Sequence, residues 1–235
     1  MFKIKVSKNG PYLVSNLEKL SQEAYMPDNN GVLNPIELQQ FPVEKKMALC
    51  RCGHSKQAPF CDGSHEKVNF DGTETADHSA YLDRSETFTG PKLSLLDDER
   101  CAFSRFCHRE QGEVWTLTTQ SDDPEKAKEA IQGASLCPSG RLTAVLDGEL
   151  VEDEYEDTLA IAEDLQERVS ASLNARGDFT LESADGTLYE KRNRLALCRC
   201  GQSRNKPFCD ASHVNTGYQD GIALPKEIKD EMKEE

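Results

Sequence analysis

The sequence predicts an α+β protein of three small units: two copies of one β-rich module and a separate α+β unit between them. Three observations carry this. Residues 47–65, MALCRCGHSKQAPFCDGSH, return at 195–213 as LALCRCGQSRNKPFCDASH, at a constant offset of 148 and without a gap. A repeat that far apart is not a solenoid period, so it marks two copies of a module with something else between them. The nine cysteines fall into three groups of three, at 50, 52, 61; 101, 107, 137; and 198, 200, 209. Finally, the 235 residues are 37% apolar and 30% charged. That is a thin core for the length, and it predicts that bound metal supplies part of the folding free energy.

Charge and composition exclude several classes. With 42 acidic against 28 basic residues the net charge is −14. This argues against a nucleic-acid binder, which needs a basic face to displace counterions, and against docking on anionic lipid. The opening MFKIKVSKNGPY lacks the apolar core of a signal peptide. No window approaches the roughly 20 apolar residues of a spanning helix. An odd cysteine count fits a closed disulfide framework poorly. The expectation is a cytoplasmic protein in a reducing compartment, where thiols bind metals rather than oxidise.

The first unit, residues 1–90, contains the first copy of the repeat. Its pattern is C-x-C, eight residues, then C-D-G-S-H. Three thiolates (Cys50, Cys52, Cys61) and one imidazole (His65) make a four-ligand set. Cys61 and His65 are four apart, a spacing that stacks two side chains on one helical turn. Asp62 is placed to cap that turn, and Pro59 stiffens the approach to it. Cys198, Cys200, Cys209, His213, Asp210 and Pro207 repeat the arrangement. The pattern resembles the CDGSH iron–sulfur family, the group that includes mitoNEET, whose motif is C-x-C-x2-[ST]-x3-P-x-C-D-G-[SAT]-H. The first copy matches throughout, including Ser55, Gly63 and Ser64. The second, with Ser203 and Ser212, departs only at Ala211, where the family has glycine; alanine does not take positive φ easily. The resemblance implies a [2Fe–2S] cluster on Cys50, Cys52, Cys61 and His65, and another on Cys198, Cys200, Cys209 and His213. Gly53 and Gly201 would let the backbone approach inorganic sulfide. The alternative is structural zinc, for which three cysteines and a histidine are an ordinary set, although zinc sites usually open with C-x2-C.

The middle unit, residues 91–155, holds Cys101, Cys107 and Cys137. The stretch DERCAFSRFCHREQGE has a C-x5-C spacing, readable as a ferredoxin loop whose middle cysteine is replaced, at Ser104. Cys137-Pro138 is how such motifs end. Between them DDPEKAKEAIQG predicts a helix capped by Asp123, opened by Pro124 and stopped at Gly133. RLTAVLDGELVE predicts a hairpin around Asp147-Gly148. The stretch resembles the divergent single-cluster ferredoxin domain that accompanies CDGSH modules in bacteria. The resemblance implies a cluster on Cys101, Cys107 and Cys137. Three thiolates suit [3Fe–4S]; [4Fe–4S] would need Ser104, His108 or solvent as a fourth ligand. A middle unit without a cluster is the alternative.

The third unit, residues 156–235, carries the second copy. TLAIAEDLQERVSASL (158–173) fits a helix by period, while TLAIA also fits a strand. The tail PKEIKDEMKEE is charged and expected to fray. His54 has Gln202 as its counterpart and reads as a surface residue. His78 reads as loop, and Trp115 as core. Residues 44–68 carry a net charge of +2 and residues 190–213 of +4, so the acidity lies outside both cysteine loops.

CDGSH modules of the mitoNEET branch work as homodimers. One chain with two copies is therefore expected to pair them internally as a pseudo-two-fold dimer, as a monomer with the ferredoxin-like unit beside the pair. No Rossmann glycine pattern, P-loop or nucleophile elbow is present, and no enzyme activity is expected. The leading expectation is an electron-transfer protein with an external redox partner. A carrier of labile clusters to an apo-protein, or a redox or pH sensor, is the alternative. A redox subunit of an external oxygenase or reductase is the third.

Overall fold

The computed structural model describes residues 1–228. It is mixed α+β, mostly sheet with a few short helices. The first segment contributes β1 (Phe2–Val6), β2 (Tyr12–Ser15), β3 (Lys19–Pro27), β4 (Leu33–Phe41), β5 (Lys46–Leu49) and the one-turn helix α1 (Ser64–Lys67). A short α2 (Tyr81–Arg84) leads into β6 (Glu86–Thr89), β7 (Leu93–Asp97), β8 (His108–Arg109), β9 (Gly112–Glu113), α3 (Val114–Thr119), α4 (Pro124–Leu136), β10 (Leu142–Leu146) and β11 (Glu149–Val151). The last segment is β12 (Thr158–Asp164), β13 (Val169–Arg176), β14 (Phe179–Glu182), β15 (Arg194–Leu197) and α5 (Ser212–Thr216). Residues 229–235, most of the tail expected to fray, lie outside the described residues.

The two copies share their sheets. One sheet has the order β14-β1-β2-β5, the other β15-β13-β12-β3-β4. Each copy forms an antiparallel hairpin (β1–β2, β12–β13) against its own strand before the C-x-C, with Tyr12 opposite Leu49 and Leu173 opposite Leu197. The next strand then crosses over. β3 lies parallel to β12, Leu20 opposite Leu159, and β14 lies parallel to β1, Phe179 opposite Phe2. The apolar alternation of FKIKV gives β1 one buried face, as a half-exposed strand requires. The faces meet in a single core containing Phe2, Ile4, Tyr12 and Leu49 of one copy and Leu159, Leu173, Phe179 and Leu197 of the other. Phe2 stacks on Phe179 at 5.2 Å. Each such aromatic or Leu side chain contributes about 2–3 kcal/mol by burial.

The stretch 158–173 is therefore a hairpin and not a helix. Both strands are buried along nearly their whole length, so neither shows the alternation that identifies a half-exposed strand. Their buried polar groups are paired: Arg105 reaches Asp164 with two bonds of 2.7 and 2.8 Å, and Arg176 reaches Glu23 with bonds of 2.7 and 3.0 Å.

The middle unit has its own sheet, β11-β10-β7-β6, with α3 and α4 against it. Asp123 caps α4 by accepting from the Glu125 N–H at 3.0 Å, and Pro124 opens it. The expected stop at Gly133 is overruled: the helix continues to Leu136. Gly133 serves packing there, since a Cβ would lie 2.5 Å from Val114 Cγ1. Asp147 and Gly148 both take positive φ, 51° and 84°, in the predicted two-residue hairpin. The unit is fastened to the second copy. Arg194, fully buried at the head of β15, donates to the carbonyls of Cys137 at 3.0 Å and Leu142 at 2.8 Å and pairs with Glu152. Its counterpart by the repeat is Lys46, which is exposed.

Candidate iron–sulfur centres

Both cysteine loops are held by the same bonds. The N–H of Cys50 donates to Pro59 O at 2.8 Å and that of Cys61 to Ala48 O at 2.9 Å; Cys198→Pro207 and Cys209→Ala196 repeat these distances. Ser55 Oγ donates to Phe60 O at 2.6 Å, and Ser203 Oγ to Phe208 O at 2.7 Å. Asp62 accepts from the N–H groups of Lys56 and Ser64, and Asp210 from those of Arg204 and Ser212. Asp62 does accept from the first helical N–H, that of Ser64, but the N-cap position falls on Gly63 without a side-chain cap, so the cap expected of Asp62 is displaced by one residue and Cys61 lies before the helix. A left-handed residue, Gly63 at φ 82°, turns the chain so that His65 faces Cys61. Ala211 takes the same position at φ 67°, despite its methyl.

Each predicted donor set arrives as two pairs. Cys50 Sγ lies 3.7 Å from Cys52 Sγ, and Cys61 Sγ lies 3.4 Å from His65 Nδ1. In the second copy Cys198–Cys200 is again 3.7 Å and Cys209–His213 again 3.4 Å. Two thiolates about 2.3 Å from one tetrahedral metal sit about 3.8 Å apart, and a thiolate with an imidazole about 3.5 Å. Each pair therefore has the span of two ligands on one metal. Among the described residues no three His, Cys, Asp or Glu side chains converge on a single ion. The donor chemistry and spacing fit an iron–sulfur cluster better than a single ion.

The electrostatics set the two thiols of each C-x-C apart. Cys50 is drawn down to about 6, first by its hydrogen bond with Cys52, whose thiol is pushed far up by the same bond and by burial. Cys198 falls to about 7 through Cys200, and Cys200 rises correspondingly. Burial raises Cys209 and holds the His213 imidazole down at about 4. That keeps His213 neutral, as a ligand must be.

The middle cysteines also gather. Cys137 is buried and packs in the same apolar cluster as the partly buried Cys107. Burial, then the charges of Cys137 and Cys101, push the Cys107 thiol up to about 12. The N–H of Phe103 donates to Cys101 Sγ at 3.4 Å. Of the two fourth-ligand candidates, Ser104 is buried, whereas His108 is exposed and sits 3.5 Å from Glu113. Sequence reading missed Ser139, whose Oγ is 3.3 Å from Cys137 Sγ. Trp115 packs against this core and donates to Asp97. His54 is exposed, and His78 is an exposed loop residue stacked on Tyr189.

The sites are neighbours. A Cβ on Gly53 would lie 2.5 Å from Cys200 O, and one on Gly201 would lie 2.5 Å from Cys52 O. Tyr12 of the first copy donates to Cys198 O at 2.7 Å in the second. Ala102, beside Cys101, packs on Ala196 and Cys209, and Cys101 and Cys209 line one cleft.

A family model described as "Iron-binding zinc finger CDGSH type" matches residues 9–66 and 171–214. One described as "Divergent 4Fe-4S mono-cluster" matches residues 88–147, between them. The chain is a tandem CDGSH protein with a divergent ferredoxin-type insert. It is 45% identical over 42 residues to a CDGSH iron-sulfur domain-containing protein 2 from Aquarana catesbeiana, covering 18% of the chain and 30% of that protein. It is 35% identical over 63 residues to CDGSH iron-sulfur domain-containing protein 2 homolog A from Branchiostoma floridae, covering 26% of the chain and 47% of that protein. The chain thus spans less than half the length of either relative. Among the described residues no helix is long and apolar enough to cross a membrane.

The largest omission of the sequence reading is the residue inside each C-x-C. Arg51 and Arg199 are 1% and 4% exposed. Their recurrence at the repeat offset was the available signal, but sequence shows their charge and not their burial.

Proposed function

We propose that this tandem CDGSH protein transfers electrons through iron–sulfur clusters and is not itself an enzyme. Cys50, Cys52, Cys61 and His65 hold one [2Fe–2S] cluster, and Cys198, Cys200, Cys209 and His213 hold the other. The observation that carries this is the repeated pairing at 3.7 and 3.4 Å in both copies. It favours two metals per set over one zinc. Cys101, Cys107 and Cys137 hold the middle cluster, and their three thiolates support [3Fe–4S]; a fourth iron there would need a non-cysteine ligand. When bound, the clusters supply one-electron chemistry. The chain supplies neutral imidazoles, which raise potential relative to an all-thiolate set, and apolar surroundings that limit water.

The crossed strands, the shared core and the Gly53–Cys200 and Gly201–Cys52 approaches support an internal pseudo-two-fold pair within a monomer. The partner is an external redox protein, and the setting is cytoplasmic.

Iron and acid-labile sulfide counting, with EPR before and after reduction, tests the reading. Four irons in the CDGSH sites and three in the middle are expected; zinc without sulfide overturns it. His65→Cys and His213→Cys should each lower a potential and flatten its pH dependence, and an unchanged slope removes these histidines as ligands. One observation favours cluster transfer as a second reading: Cys61 and His65 are only partly buried. Iron and sulfide moving to an apo-ferredoxin would select it, whereas movement of electrons alone selects the first.

A further inference from the structure

The two CDGSH donor sets are chemically identical, yet the chain surrounds them with different charge. Arg51 lies between Cys50 and Cys52 and spends its donors on backbone carbonyls alone: Nε to Gly10 O at 2.8 Å, Nη1 to Gly72 O at 2.9 Å and Nη2 to Ser7 O at 2.9 Å. Among the described residues it forms no ion pair. Asp71, which feels its field, is exposed and screened by water. Arg199 lies between Cys198 and Cys200. It donates to Ala171 O at 2.7 Å and Ala162 O at 2.6 Å, but it also pairs with Asp220 and with Glu163 at 3.0 Å. Asp220 alone cancels its charge, whichever protonation state Glu163 holds.

Burial differs in the same sense. Cys61 and His65 are partly buried, whereas Cys209 and His213 are 3% and 1% exposed. A reduced cluster carries one more negative charge than an oxidised one. Uncancelled positive charge and nearby water favour it; a cancelled charge in a dry site does not. Both differences therefore act in one direction.

We infer that Arg51 makes the first CDGSH site the higher-potential of the two, and that the Arg199–Asp220–Glu163 network keeps the second site low. Arg51 and Asp220 are positioning residues that set where an electron rests. This rests on the reading that each donor set holds a two-iron cluster. One electron delivered by dithionite would then reside on the first site: the reductant loses it, an iron held there gains it, and no covalent bond of the chain breaks. The middle cysteines adjoin the second site through Ala102 and Cys209. The first site is thus the far terminus of the row.

The test is a potentiometric titration of the full holo-chain, following the reduced two-iron EPR signal. The wild type should show two one-electron waves whose separation corresponds to at least about a tenfold preference, 59 mV for one electron. Arg51→Gln should lower the upper wave by a comparable amount, and Arg51→Lys, which keeps the charge, should restore it. Because Arg51 is fully buried, Asp220→Asn provides an independent arm; it should raise the lower wave and leave the upper one in place. A single unresolved wave, an Asp220→Asn shift of the upper wave, or an Arg51→Gln protein with both waves unmoved overturns the inference. A chain without acid-labile sulfide overturns the two-iron reading itself, which the iron and sulfide count reveals separately.

Discussion

Gly53 and Gly63 take nearly the same left-handed conformation, at φ 78° and 82°, and both lie beside the first donor set. They differ in what a side chain would meet. Around Gly63 there is open space, while a Cβ on Gly53 would sit 2.5 Å from the backbone oxygen of Cys200 in the other copy. Gly63→Ala therefore isolates backbone strain. Left-handed alanine costs about 1–2 kcal/mol, offset by about 0.4–1 kcal/mol from the less flexible unfolded chain, for a net loss of about 1 kcal/mol. Gly53→Ala adds overpacking of two backbones that cannot swing aside, about 1–3 kcal/mol more. For a chain of this length each kcal/mol moves Tm by roughly 2–4 °C. Far-UV circular dichroism should show Gly63→Ala melting a few degrees below wild type and Gly53→Ala roughly 5–15 °C below it. Gly201→Ala, whose Cβ would meet Cys52 O at 2.5 Å, should match Gly53→Ala. Equal losses at positions 53 and 63 would refute the contact between copies.

Ala211→Gly should stabilise by about 0.5–1 kcal/mol, because it relieves the φ of 67° at the position where the first copy has glycine; a lower Tm contradicts this. Tyr12→Phe removes the donor to Cys198 O and should lose about 1–3 kcal/mol, read from the urea midpoint; an unmoved midpoint contradicts it. Burial raises Glu163 to about 7 from 4.5, so the folded chain keeps a proton that the unfolded chain has released. Stability from this group is full below about pH 4.5 and is lost as pH rises to about 7, by about 3 kcal/mol. Glu163→Gln should flatten that stretch of the stability–pH curve, and an unchanged slope between about pH 5 and about pH 7.5 would show that the proton sits elsewhere.

The Cys–Cys and Cys–His pairings were legible because their information is local: spacing and a turn within nineteen residues, written twice. The Asp147-Gly148 hairpin was legible for the same reason. What escaped depends on distant partners. Gly133 looks like a helix stop until Val114 is packed against it, and β12 and β13 lose their alternation because both faces are covered. Nothing in FKIKV names residues 179–182 as its neighbours. Arg51 and Arg199 add to the positive charge of the two cysteine loops, but only the fold reveals that their partners are carbonyls in one case and carboxylates in the other.

The crossed strands also set a schedule for biosynthesis. β1 and β2 leave the ribosome early, yet one neighbour in their sheet is β14, and β3 waits for β12. At about 5–20 residues per second, the chain from the end of β3 to the start of β12 takes roughly 7–26 s to appear. Throughout that interval the apolar face of Phe2, Ile4 and Val14 has no opposite half to cover it. A chain truncated before β12 should therefore be found in the insoluble fraction.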